Sequence, residues 1–260
     1  MKKKVLILTG IAAALLIAVI AAALNAVFTV ARVEVRFSTC SERGESEAVL
    51  MQSELGEYFV GKSSTFLKVE DVRAAVEASY PAFRVVSAEK HLPRTVSLTV
   101  EERRETYAFR RENGLFAILD EEGVYLYDRE QNINRRGGEN ILLEGFALSV
   151  PGSGKIAEGS YAEELFAMGR VLTETFGDAR ANVVSVTLSS EYEMGAYFLL
   201  EMREGVTVQI FTPENEPEDK VRAALEKYLS LSETEKTYGF FDIIDRIGGG
   251  FTVSEHRASL

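Results

Sequence analysis

Two histidines, His91 and His256, and a single cysteine, Cys40, are the residues from which a hydrolytic or metal centre would have to be built. One thiol forms neither an intrachain disulfide nor a paired-thiolate zinc site. Two imidazoles exclude a multi-histidine metal site, and a Ser-His-acid triad would have to use one of them. His91 stands beside a Leu-Pro turn and reads as a polar cap; Cys40 reads as a free thiol in a linker or turn. Carboxylates are more plentiful, and Glu101-Glu102 and Glu121-Glu122 are adjacent pairs of the kind that acid-base chemistry uses. Strand neighbours face opposite sides and turn neighbours are both solvated, so these pairs read as surface charge. Asp242 and Asp245 lack calcium-loop spacing and read as outward residues of a strand whose Phe241 and Ile243 face inward. PGSGK has Ser149 and Ile156 where a phosphate loop needs Gly and Ser or Thr, and reads as a mobile turn. Tyr107, Tyr125 and Tyr127 read as sheet packing. The sequence therefore predicts no catalytic, cofactor-binding or metal-ligating residue.

The chain has 260 residues and a net charge of -11, which argues against nucleic acid and anionic headgroups as partners. Residues 5–31 carry no charge, and the first twenty of them are almost wholly apolar, the length of a bilayer core. Lys2, Lys3 and Lys4 precede this run and the next cation is Arg32. The expectation is a short cytoplasmic tail at 1–4, a transmembrane helix at 5–26, and the bulk of the chain outside the cell membrane. A cleaved signal peptide, with small residues at 21–23, is the competing reading.

The outer chain must position whatever chemistry or binding there is. VEVRF alternates as a strand; Met51, Leu55, Tyr58 and Phe59 recur at helical spacing, as do Val72, Ala75, Val76 and Tyr80 before Pro81. In TVSLTVEE, Val96, Leu98 and Val100 face one way and Ser97, Thr99 and Glu101 the other, which predicts a half-buried strand. The order over 32–102 is β-α-α-β-β. A second region, 103–255, opens with hairpins about LFAILDEEGVYLYD and is expected to loop over the surface across 138–159. It continues with a helix ending at Gly177, an antiparallel meander through Val186, Leu200 and Val208, a last helix about Val221 and Leu225, and the strands GFFDIID and FTVSE. Residues 256–260 are a tail. The predicted class is α+β: a transmembrane helix, the β-α-α-β-β domain, then a mixed domain with an antiparallel meander and two helices.

These pieces carry a likeness. The apolar run followed at once by VEVRF, the segment YPAFRVVSAEKHLPRTVSLTVEER, the LDEEGV hairpin and the closing FFDIID with its glycines resemble the FtsQ/DivIB family of bacterial cell-division proteins. The likeness covers nearly the full length. Leu92 stands where the family commonly has Trp, and Glu105-Thr106 replaces its usual proline-containing step. The resemblance implies a POTRA domain at 32–102, a β domain after it, and a non-catalytic scaffold at the division septum. It also implies that the last strands receive a β segment of an FtsB/DivIC-like protein, itself coiled with an FtsL-like one; the matching positions are Phe241, Asp242, Ile243, Ile244, Phe251 and Val253. Such docking uses the unpaired backbone of a sheet edge. The alternatives from other classes are an anchored chaperone of the POTRA type and an anchored outer enzyme.

Overall fold

The computed structural model describes residues 15–20, 23, 27–63, 68–91, 94–192, 195–237 and 239–257. The chain forms two compact units, Met1–Glu102 and Arg103–Leu260.

In the first unit, β1 (Arg32–Ser38), α1 (Glu42–Phe59), α2 (Val69–Ser79), β2 (Phe83–His91) and β3 (Thr95–Glu102) follow in that order. The sheet order is β1-β3-β2, with β3 parallel to β1 and antiparallel to β2. Alternation in β3 buries Val96, Leu98 and Val100, on which Met51, Leu55 and Phe59 of α1 and Val72 and Val76 of α2 close the core. Ser41 caps α1, its side chain accepting from the Gly44 N–H. The β2 edge is blunted by a bulge between Val85 and Ser87 and by the charged run Glu89-Lys90-His91.

The expected membrane span needs correction. Among the described residues no helix is long and apolar enough to cross a membrane. Within 5–26 the described helical run is 15–20. The rest of that stretch, residue 23 apart, lies outside the described residues, as do Leu92 and Pro93. The single-pass anchor inferred from hydropathy is therefore not supported.

The second unit is one nine-stranded sheet in the order β12-β11-β10-β9-β8-β7-β4-β5-β6. Its strands are β4 (Glu105–Arg110), β5 (Phe116–Asp120), β6 (Tyr125–Arg129), β7 (Ile141–Glu144), β8 (Val183–Tyr192), β9 (Gly195–Met202), β10 (Thr207–Phe211), β11 (Gly239–Asp245) and β12 (Phe251–Arg257). Two helices, α3 (Ala162–Phe176) and α4 (Pro217–Leu229), pack on one face over Tyr107, Leu119, Ile141, Val186, Phe198, Leu200, Val208, Ile210, Phe241 and Ile243.

The expected antiparallel meander is present as β8-β9-β10, but it is only part of this sheet. β7 is parallel to both β4 and β8, and β10 is parallel to β11, so the sheet is mixed. The reason is the position of the helices in the chain: α3 carries it from β7 to β8 and α4 from β10 to β11, and a helix that crosses the sheet returns the next strand parallel. β7 itself falls where a surface loop was expected. ILLE holds three consecutive apolar residues and a glutamate, too short a stretch to show a period in sequence, although Ile141 and Leu143 are buried while Leu142 is half-buried and Glu144 exposed.

Candidate functional site

A sheet of nine strands has two edges, and the chain treats them differently. At the β6 edge the segment containing PGSGK lies along the strand. The Tyr125 N–H donates to Lys155 O at 2.8 Å, Gly154 N–H donates to Tyr125 O at 2.8 Å, and Ala157 N–H donates to Gly123 O at 2.9 Å. Ser153 Oγ adds a bond to Leu126 O at 2.8 Å. PGSGK is thus no mobile turn but a cover that occupies the polar backbone of this margin. At the other edge β12 pairs with β11, and among the described residues no strand pairs with its outer side.

Hairpin geometry fixes which groups of β12 point outward. Arg246 N–H donates to Gly250 O at 2.8 Å and Gly249 N–H to Arg246 O at 3.1 Å, a three-residue turn with Ile247, Gly248 and Gly249 at its tip. All three glycines of the turn region have positive φ. Antiparallel pairs alternate between bonded and non-bonded, so from the Arg246–Gly250 closure the bonded pairs are Ile244–Thr252, Asp242–Ser254 and Phe240–His256. Phe251, Val253 and Glu255 are then the residues whose N–H and C=O groups project from the edge. Their side chains lie on the helix-covered face, where Phe251 and Val253 pack partly buried against the core and Glu255 pairs with Lys227 of α4 at 2.8 Å.

The six residues expected to meet a partner are brought together on two adjacent strands but divide into three roles. Phe241 and Ile243 are fully buried, on a strand paired on both sides, and their positions are corrected from contact residues to the support of the edge. Asp242 and Ile244 lie half-buried on the opposite face, where Asp242 Oδ2 pairs with His256 Nε2 at 2.7 Å and His256 stacks near Phe240 at 5.6 Å. Phe251 and Val253 alone of the six belong to the edge strand. Ile247, at the tip beside it, is fully exposed.

The remaining chemistry-bearing residues are dispersed. His91 is exposed and lies 3.6 Å from Glu89, Cys40 is exposed, and Glu122 is half-exposed near the buried pair Arg103–Asp120. Glu102 departs from the surface reading: it is buried and accepts from the Cys40 N–H at 2.7 Å and the Ser41 N–H at 3.0 Å, beside the start of α1. An open groove of about 590 Å³ lined by Phe109, Arg110, Arg111, Phe146 and Leu148 holds no nucleophile and base in hydrogen-bond reach. Among the described residues no group of three or more His, Cys, Asp and Glu side chains is placed to hold a metal ion.

Sequence reasoning missed Lys220 and Lys227, which tie α4 to the hairpin. The signal was present, since Lys220 sits at position i beside Val221 and Ala224 on the apolar stripe of an otherwise amphipathic helix. No family model matches the chain, and no curated protein matches it.

Proposed function

We propose that the protein is a non-catalytic scaffold that captures an extended segment of another protein by adding it as a tenth strand to the outer edge of β12. The observation that carries this reading is the unequal treatment of the two margins: the chain covers β6 with its own backbone, while among the described residues no strand lies along the outer side of β12. An unpaired strand backbone is a template for strand addition, with main-chain bonds giving affinity and alternate side chains giving selectivity. Phe251 and Val253 would meet apolar side chains of the incoming strand on the helix side, while Thr252 and Ser254 face its polar side.

The resemblance to the FtsQ/DivIB family supplies the occupant. In this reading the added strand belongs to an FtsB/DivIC-like coiled-coil protein partnered by an FtsL-like one, and the scaffold serves septal wall synthesis by holding that pair. The test is a proline placed in the edge. Val253 presents its N–H outward, so Val253→Pro removes a docking donor without breaking the ladder to β11. Wild-type protein should bind the purified FtsB/DivIC-like partner of the same cell. The variant should unfold at an unchanged temperature and bind it at least roughly tenfold more weakly, the loss of about one main-chain hydrogen bond. Equal binding by a folded Val253→Pro protein would refute the placement.

A further inference from the structure

Lys220 is fully buried, which a lysine tolerates only when its ammonium is paired and hydrogen-bonded. Its Nζ donates to Phe211 O at 2.8 Å, Thr212 O at 2.9 Å and Thr212 Oγ1 at 3.1 Å, and lies 2.6 Å from Asp245 Oδ1. Asp245 Oδ2 in turn accepts from the Thr212 hydroxyl and, at 3.0 Å, from Asn215 Nδ2. Thr212 adopts a left-handed φ of 45°, a conformation disfavoured for a β-branched residue, at the spot where its carbonyl and hydroxyl both reach the ammonium.

Asp245 is the last residue of β11 and stands opposite Phe251, the first residue of β12. Two turns further along α4, Lys227 pairs with Glu255 near the other end of that strand. Seven helical residues rise about 10.5 Å and the four residues from Phe251 to Glu255 about 13 Å, so Lys227 holds β12 directly near one end and Lys220, through Asp245 of β11, holds the hairpin near the other. A strand at a sheet edge has one ladder instead of two to hold it, and its hairpin turn, Arg246 to Gly250, is exposed and rich in glycine.

We infer that Lys220 is a positioning residue for strand docking: through Asp245 it holds the final hairpin against α4 and keeps the outer backbone of β12 straight and ready to pair. The inference rests on the docking function proposed for that edge. It makes the polar cluster at the α4 N-terminus part of the binding device and explains the strain at Thr212 as the cost of building it.

The test uses the full chain. Asp245→Asn keeps the shape and one acceptor but removes the charge, and Lys220→Met keeps the stem but removes the ammonium. Amide hydrogen exchange of Thr252 and Ser254, bonded inward to β11, should quicken about tenfold or more in Asp245→Asn, while Phe198 and Leu200 of β9 exchange as in wild type. If Lys220→Met proves too unstable to study, the Asp245→Asn comparison stands by itself. Unchanged exchange at Thr252 and Ser254 overturns the inference, and so does a rise shared equally with Phe198 and Leu200, since that marks general unfolding. Affinity for the FtsB/DivIC-like partner should fall in parallel with the local loosening. Absence of binding by the wild-type protein sinks the docking function, whereas the exchange experiment still decides whether Lys220 holds the hairpin.

Discussion

Single residues in this molecule show how polar groups are treated when the core closes over them. Tyr107 is fully buried on β4, its hydroxyl has no hydrogen-bond partner, and burial pushes its phenol far above the ordinary value. A Cβ on Gly169 of α3 would lie 2.0 Å from that hydroxyl, so glycine is what lets the helix approach the sheet here. Tyr107→Phe should leave thermal stability within about 1 kcal/mol of wild type, because removing an unsatisfied hydroxyl relieves its desolvation cost. Gly169→Ala should destabilise by about 1–3 kcal/mol through overpacking, and the Tyr107→Phe change should recover part of that loss in the double variant. Denaturant melts of the three variants check it. Buried Glu105 is the opposite case: it accepts from the Tyr127 hydroxyl, from Arg129 Nη2 at 3.2 Å and from the Arg135 N–H at 2.8 Å.

At the scale of elements, the ends of strands and helices are joined by carboxylates. Glu102 closes β3 and reaches the first turn of α1, where the Cys40 and Ser41 amides and the Ser41 hydroxyl donate to it. A carboxylate at a helix N-terminus also meets the positive end of the helix dipole. Gly44 makes room for this, since a Cβ there would come 2.0 Å from Glu102 Oε2. Gly44→Ala should therefore lower stability despite alanine's better helix propensity, by about 1–2 kcal/mol, the typical worth of a helix cap. The sign of that change, read by calorimetry on the full chain, is the check: stabilisation would mean that the Glu102 carboxylate moves away at little cost.

Across the whole molecule, groups respond at both ends of the pH scale. Asp245 is pushed up by burial but pulled further down by bonds from Lys220, Thr212 and Asn215, leaving its carboxyl below the ordinary value of 3.8. A lowered carboxylate stabilises the fold above its unfolded value and loses that contribution as pH falls through its folded one. The β11–β12 hairpin should thus loosen below about pH 4, seen as faster exchange at Thr252. In the first unit, burial and the bond to Glu54 raise the Tyr80 phenol to about 12. Its sign is reversed: the contribution is present below the unfolded value near 10 and is lost as pH rises through about 12. The difference between the wild-type and Tyr80→Phe absorbance titrations at the tyrosine band should isolate a phenol that ionises late, and in Glu54→Gln the same difference should move part of the way back toward the ordinary value.

Local pattern determined much of this protein by itself. Alternation in 95–102 places Val96, Leu98 and Val100 in the core, and the inward facing of Phe241 and Ile243 follows from the same period of two. The stop of α3 at Gly177, with φ 72°, follows from glycine's freedom in the left-handed region. Pattern could not reveal β7, whose four residues pair with strands far away in sequence, nor the parallel pairing that the crossover helices impose. It mistook Glu102 for surface because its partners lie about sixty residues upstream. Above all, only the tertiary structure decided which margin is open, because a strand's own residues do not say whether another part of the chain will lie down beside it. PGSGK does so for β6, and among the described residues no strand does so for β12.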